Sequence, residues 1–182
     1  FDNCLWDIAG QAAGLPVCQL LGRARPRCRA YYNFPSGSLD AALSGCDRAL
    51  AAGFTALKDH WTATPDANIA WSRAVRDHVG PDIELLHDAA GSPYNFNEAL
   101  RVGRALEELD YGWFEEAISD RDLQGLQMLC AELTIPVMAL ETLMHDYEIS
   151  TAWVLAGATD LVRAHARPGT TAPLKLAHLC RL

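Results

Sequence analysis

Short apolar segments alternate with longer amphipathic segments along most of this chain. Six short runs are apolar enough to be strands covered on both faces, and they span residues 29–33, 54–59, 83–88, 112–116, 135–140 and 160–165. Segments with helical periodicity follow them, at residues 39–52, 66–79, 96–109, 121–133, 146–157 and 172–181. Repeated strand–helix units predict an α/β fold with a parallel sheet, a pattern that doubly wound sheets and eight-fold barrels share.

The ends of the sequence suggest that the chain is part of something longer. Residues 1–22 have the spacing of a leading helix, with Pro16 beginning a second short turn. Six strand–helix units follow, whereas a closed barrel needs eight. The chain starts at Phe1 and stops directly after a helix, so we expect it to be cut at both ends.

Composition excludes several classes of partner. With a net charge of −8 and no basic stripe, the chain lacks the surface that binds nucleic acid. A local cation or metal could still bind an anionic substrate. No apolar run reaches the ~20 residues that span a bilayer, and no signal peptide is evident.

The six cysteines show no CxxC pair and no zinc-like spacing. Several of them lie within amphipathic helical patterns, which favours buried, free thiols. We therefore expect a cytoplasmic protein with reduced cysteines and no membrane association.

Three acidic residues end successive predicted strands. Asp88, Glu115 and Glu141 lie 27 residues (88 to 115) and 26 residues (115 to 141) apart, which is one strand–helix unit each time. Neighbouring carboxylates repel one another unless a cation neutralises them. Carboxylate oxygens suit magnesium, so we predict that these three side chains converge on one Mg2+. The alternative for each acid is a solvated loop position.

Two basic residues end the second predicted strand. Lys58 and His60 are two positions apart, so their side chains should point the same way. A lysine can offset the charge of a bound carboxylate, and a histidine titrates near neutral pH. The alternative is an exposed lysine beside a hydrogen-bonded histidine.

Four ordered segments of the chain carry a family resemblance. They are the leading stretch from Leu5 to Gly22, Gly53-Phe54-Thr55-Ala56-Leu57-Lys58, the stretch from Val79 to Asp88, and Leu109-Asp110-Tyr111-Gly112-Trp113-Phe114-Glu115-Glu116. In this order and spacing they resemble the mandelate racemase and muconate lactonizing branch of the enolase superfamily. The resemblance covers nearly all 182 residues. It implies a partial TIM (β/α)8 barrel forming one incomplete domain over 1–182, with units one to six at 29–182. The N-terminal capping domain and strands seven and eight are then absent, which leaves open sheet edges that favour self-association.

The resemblance also implies a chemistry. Enzymes of this family remove the proton alpha to a carboxylate, and magnesium stabilises the enediolate. By position, Asp88, Glu115 and Glu141 match the metal ligands. Lys58 and His60 match the family's Lys-x-Lys motif, with His60 as the base and Lys58 as its electrostatic partner. Loss of a β-hydroxyl from the enediolate would then complete a dehydration.

Departures from the family pattern narrow the reaction. Ala117 replaces the proline of Glu-Glu-Pro, Leu140 replaces a glycine before Glu141, and His165 replaces the sixth-strand aspartate of racemases. His165 argues against a racemase-type His–Asp pair and favours dehydratases, with His165 or His145 as the acid.

The predicted enzyme is therefore a Mg2+-dependent lyase that dehydrates an aldonic or aldaric acid sugar. The alternatives are a racemase, epimerase or cycloisomerase of the same superfamily, or an inactive truncated product. The candidates for substrate contacts are Tyr32, Asn33, Trp61 and His145, whereas His87 should face the helix layer. We expect the full-length parent to be a homo-oligomer.

Overall fold

Six parallel strands form one sheet in the computed structural model, which describes residues 1–23, 25–91, 94–143, 145–167 and 169–181. The strands are β1 Tyr32–Asn33, β2 Ala56–Lys58, β3 Glu84–Asp88, β4 Tyr111–Glu115, β5 Val137–Ala139 and β6 Leu161–Val162. They lie in sequence order, and every neighbouring pair is parallel. A doubly wound sheet reverses its strand order at a switch point. The unbroken order confirms the predicted partial barrel.

Helices flank the strands as the periodicity predicts. They are α1 Asp2–Ala13, α2 Val17–Leu20, α3 Leu39–Ala51, α4 Pro65–Val79, α5 Phe96–Glu108, α6 Leu123–Glu132, α7 Tyr147–Leu155 and α8 Thr171–Leu179. The six helices α3 to α8 each follow one strand, and their predicted bounds are confirmed to within about two residues. Within the described residues, none of these helices has the length and apolarity needed to cross a membrane.

Local sequence explains where most of these helices begin. Side chains of Ser38, Thr64, Asn95, Asp122 and Asp146 each accept a hydrogen bond from a backbone N–H in the first turn of the following helix. Such caps satisfy donors that a helix cannot satisfy internally, and each contributes about 1 kcal/mol. The helix starts are thus fixed by short-range chemistry.

The helix α8 is capped by a distant residue instead. The Asp2 carboxylate accepts hydrogen bonds from the Thr171 N–H (2.9 Å) and the Thr171 hydroxyl (2.6 Å). The Trp6 indole N–H also donates to the Thr171 hydroxyl, at 3.0 Å. A negative charge at a helix N-terminus is favourable, so the leading helix α1 is anchored against the start of α8.

The outer strands are shorter than predicted. The runs 29–33 and 160–165 contribute only Tyr32–Asn33 and Leu161–Val162 to the sheet. The runs 54–59 and 135–140 are also shortened, to three residues each. Within the described sheet, each of the two outer strands pairs on one side only. A strand with one neighbour has fewer ladder hydrogen bonds to hold its ends. The chain therefore leaves the sheet at Arg163, earlier than its composition suggests.

Apolar side chains of the sheet and of the surrounding helices form one core. Leu57, Leu85 and Phe114 from the strands are fully buried, as are Val75 and Leu106 from α4 and α5. The helices thus cover the outer face of the sheet. This packing fixes the strand ends, from which the polar residues of the rim project.

The cysteines only partly match the expectation of buried thiols. All six are free, but Cys46 alone is buried and Cys130 is half-buried, while the other four are exposed. Burial raises the pKa of the Cys46 and Cys130 thiols to about 12. Four of the six helical and loop positions therefore face solvent, because amphipathic spacing alone does not show which face a short helix buries.

Candidate active site

Lys58 lies at the centre of the polar rim formed by the strand ends. Its ammonium is 2.7 Å from Asp88 Oδ2 and 2.5 Å from Glu115 Oε2. Lys58 is only 4% exposed, and the Asp88 and Glu115 side chains are equally buried. In such surroundings charges are stable only when paired. Three strands, β2 to β4, therefore deliver one buried ionic cluster.

The charge state of Lys58 follows from these contacts. Burial by itself would lower the pKa of the Lys58 ammonium, but hydrogen bonds and charge from Asp88 and Glu115 outweigh it. The net result is a raised pKa, so the lysine carries its positive charge at neutral pH. Lys58 thus acts here as a fixed cation.

A second cation, Arg163, continues the cluster across the rim. Its Nε lies 3.0 Å from Glu115 Oε1 and 3.2 Å from Glu141 Oε2. The charges of Glu141 and Glu115 raise the pKa of the guanidinium although its burial opposes this. The rim therefore alternates in sign from Asp88 through Lys58, Glu115 and Arg163 to Glu141.

The three carboxylates share one rim, yet they do not meet at one point. Within the described ranges, no three Asp, Glu, His or Cys side chains stand close enough together to hold a metal ion. The three acids therefore stand apart in this arrangement, and their convergence on one Mg2+ stays a prediction. The physical reason is that Lys58 and Arg163 lie between the acids and neutralise them in pairs.

The donor chemistry nevertheless fits a hard cation. Glu115 Oε1 is buried and accepts no hydrogen bond, because the nearby Arg163 N–H is not aligned with it. Glu115 Oε2 also accepts from the Trp113 indole, at 3.3 Å. A buried carboxylate oxygen whose contact with a cation is poorly aligned keeps lone pairs that a metal ion could use. Oxygen ligands of this kind are those that Mg2+ prefers.

His60 lies at the outer edge of the same rim. Its Nε2 is 3.9 Å from Asp88 Oδ2, and its side chain is 64% exposed. Lys58 and His60 thus both approach Asp88, as their spacing on one strand predicts. Lys58 is buried and paired with two acids, whereas His60 is exposed to solvent. The role of His60 as a base stays a prediction.

The two candidate acids lie close together beyond the sheet. The rings of His145 and His165 are 6.0 Å apart between centroids and nearly perpendicular. His165 follows the end of β6 by three residues, and its Nδ1 accepts a hydrogen bond from the Arg167 N–H. His165 is therefore a loop residue, and Arg163 lies at the end of β6, where the sequence predicts His165.

Two of the predicted substrate-contact residues, Tyr32 and Trp61, pack against other aromatic rings. Tyr32 packs against Phe54 with ring centroids 5.4 Å apart, and Trp61 stacks on Trp71 at 4.6 Å. Both rings pack against the hydrophobic core, and their role in substrate binding stays a prediction. Asn33 is exposed at the end of β1.

The aromatic residues beside the cluster are Tyr31 and Trp113, and neither belongs to the predicted substrate contacts. The Lys58 ammonium lies 5.7 Å from the centroid of the Tyr31 ring, within cation–π range. The two rings also pack edge-on, with centroids 5.7 Å apart. Strand alternation could have indicated Tyr31, because a shift of one residue exchanges the two faces of a strand.

Behind the rim, His87 faces the helix layer as predicted. Its Nδ1 pairs with Asp59 Oδ1 at 2.8 Å, and its Nε2 lies 3.2 Å from the Asn68 side chain on α4. Asp59 Oδ1 also accepts a hydrogen bond from the Asp88 N–H, at 3.2 Å. This buried group therefore supports the end of β3 from below.

The rim also carries strained backbone. Ala90, Glu116 and Leu140 have positive φ angles of 54°, 52° and 83° and lie just beyond the ends of β3, β4 and β5. Such angles are unfavourable for residues with a side chain and often occur at functional sites. Burial, with the charges of Asp88 and Glu141, raises the pKa of the Glu116 carboxyl. Strain and charge are thus concentrated at one edge of the sheet.

Comparisons with known proteins identify the family of this arrangement. The family described as enolase C-terminal domain-like matches residues 41–182. An arabinonate dehydratase from Saccharolobus solfataricus is 33% identical over 152 residues, which cover 81% of this chain and 40% of the relative.

Solved structures give the same result. A D-glucarate dehydratase from Agrobacterium tumefaciens, complexed with magnesium, has a TM-score of 0.88 at 30% identity, over 99% of this chain and 51% of that one. A 3,6-anhydro-D-galactonate cycloisomerase from Zobellia galactanivorans has a TM-score of 0.89 at 28% identity, with the same coverage. The chain thus spans about half the length of the relatives it matches. By sequence and by structure, this chain belongs to the enolase C-terminal domain-like family, in the mandelate racemase and muconate lactonizing branch of the enolase superfamily.

Proposed function

We propose that this protein dehydrates an acid sugar, an aldonate or aldarate, in a Mg2+-dependent reaction that begins with removal of the proton alpha to the carboxylate. The observation that carries the proposal is the rim itself. A buried lysine joins Asp88 and Glu115, and an accessible histidine approaches the same aspartate. The relatives named as arabinonate and D-glucarate dehydratases support the choice of reaction and substrate class.

Asp88, Glu115 and Glu141 are the residues that would hold Mg2+. A bound Mg2+ would stabilise the negative charge that develops on the substrate carboxylate during proton removal. The buried Glu115 Oε1 supports this assignment, since it is ion-paired with Arg163 but accepts no aligned hydrogen bond. Arg163 and Lys58 are the chain's own cations at these acids.

The basic residues of the rim have separate roles in proton transfer and in charge stabilisation. His60 takes the alpha proton, because its imidazole is accessible and lies beside the proposed metal ligand Asp88. Lys58 supplies fixed positive charge for the substrate carboxylate. His165 or His145 gives a proton to the departing β-hydroxyl, which then leaves as water. The residues of this chain thus supply both proton transfers of a dehydration.

A panel of aldonates and aldarates, incubated with the protein and Mg2+, tests this proposal. We expect at least one acid sugar to yield a product lighter by one water, and a chelator to abolish the reaction. Mass spectrometry of the products gives a direct measurement. Failure of every acid sugar to lose water or to exchange its alpha proton would contradict the proposal and favour an inactive product.

The second candidate function is isomerisation within the same superfamily. The Zobellia cycloisomerase matches this chain as well as the dehydratase does. Cycloisomerases, racemases and epimerases would give products of unchanged mass, so the same assay separates them from a dehydratase. Exchange of the alpha proton without loss of water would favour this candidate.

A further inference from the structure

Asp120 is a buried acid just behind the rim, in the loop between β4 and α6. It is only 5% exposed. Its carboxylate accepts hydrogen bonds from the Leu140 N–H (2.8 Å), the Thr142 N–H (2.8 Å) and the Thr142 hydroxyl (2.6 Å). The two donor residues stand on either side of Glu141. One carboxylate therefore holds the residues on both sides of a proposed metal ligand.

The held segment is one that would not adopt its conformation unaided. Leu140 has a φ of 83°, in a region that residues with a side chain rarely occupy. Strained backbone persists only when the surrounding structure fixes it. Asp120 is itself held, because the Trp153 indole on α7 donates to its carbonyl oxygen at 2.9 Å. The hydrogen bonds of Asp120 thus link the loops after β4 and β5 to the helix layer.

We propose that Asp120 is a positioning residue that fixes Glu141 for metal binding, an inference that rests on the proposed function. Glu141 is partly exposed, and a free loop would let its carboxylate sample many directions. Metal affinity falls when the groups that orient a ligand are removed, by roughly 10- to 100-fold for such supporting residues. Asp120 accordingly acts on affinity through Glu141, without contacting the ion.

The opposite end of β5 provides a matched control. Glu107 Oε1, in the last turn of α5, accepts hydrogen bonds from the Thr134 N–H, the Thr134 hydroxyl (2.9 Å) and the Ile135 N–H (3.1 Å). Burial opposes ionisation, but these hydrogen bonds outweigh it and lower the pKa of the Glu107 carboxyl. Glu107 therefore holds the segment that leads into β5 through the same kinds of donor, two backbone N–H groups and one threonine hydroxyl. This segment lies at the end of β5 opposite to Glu141.

The test is a calorimetric titration of the protein with Mg2+ alone, for wild type, Asp120→Ala, Glu107→Ala and Glu141→Gln. We expect Asp120→Ala to weaken Mg2+ binding by roughly 10- to 100-fold. Both alanine variants should have a lower Tm than wild type, but Glu107→Ala should keep the wild-type dissociation constant for Mg2+. Asp120→Asn, which keeps one acceptor for Leu140, should fold readily and weaken binding to an intermediate degree.

Each outcome bears on a different statement. Wild-type affinity in both Asp120 variants, with weakened binding in Glu141→Gln, would overturn the positioning role alone. If Glu107→Ala weakens Mg2+ binding as much as Asp120→Ala does, the effect comes from a general loss of stability. That result would also overturn the positioning role. Wild-type affinity in Glu141→Gln would remove the proposed ligand itself, and with it both proposals.

Discussion

Replacement of Lys58 by methionine is expected to lower the free energy of unfolding by about 3–5 kcal/mol, the usual cost of removing one partner from a buried ion pair. Methionine keeps most of the apolar stem but leaves Asp88 and Glu115 without their shared cation, at 2.7 and 2.5 Å in the wild type. The measurement is chemical denaturation at neutral pH. Added Mg2+ should restore part of the lost stability, because a divalent cation can replace the missing charge.

Lys175, the only other lysine in the sequence, is the control for this experiment. It is exposed on α8, with its ammonium 5.4 Å from the centroid of the Tyr147 ring. Lys175→Met should therefore change stability by no more than about 1 kcal/mol. If Lys58→Met costs as little as the control, the buried ionic cluster does not form as the structure has it.

The second large effect concerns His60. We expect His60→Asn to slow exchange of the substrate's alpha proton by roughly 10²- to 10⁴-fold, the range for loss of a general base. Mg2+ affinity should stay close to wild type, since His60 lies 3.9 Å from Asp88 and is mostly exposed. The measurement is deuterium incorporation from heavy water into an acid sugar that the wild type turns over.

A surface histidine provides the matched control for His60. His78 on α4 pairs with Asp47 at 2.8 Å, away from the strand ends. His78→Asn should leave both exchange and Mg2+ affinity unchanged. Wild-type exchange rates in His60→Asn would assign the base to another residue, and the proposed division between Lys58 and His60 would fail.

The helices were predictable because their signals are local. Apolar periodicity and capping residues such as Ser38, Asn95 and Asp146 act within a few positions of the chain. The outer strands were less predictable, because the sequence does not show how many ladder partners a strand will find. As a result the sequence predicts a last strand that is too long, and it places His165 at the strand end where the structure has Arg163.

The candidate site shows the same division. The strand-end stations of Asp88, Glu115 and Glu141 follow from the repeat, and a two-residue spacing is enough to bring Lys58 and His60 to one side. The contacts that support the rim cannot be predicted from the repeat. Asp120 holds the Glu141 loop across 20 residues of sequence and Asp59 holds the end of β3 across 29, through contacts that no local pattern encodes.

By itself, the sequence determined the strand–helix order, the family and the residue types at the rim, because periodicity and spacing are properties of the chain. The tertiary structure alone decided which charges pair. Lys58 and Arg163 neutralise the three acids two at a time, and Tyr31, not Tyr32, lies beside the lysine. These choices depend on distances of a few ångströms between strands, where the strength of an ionic contact is set by burial and geometry together.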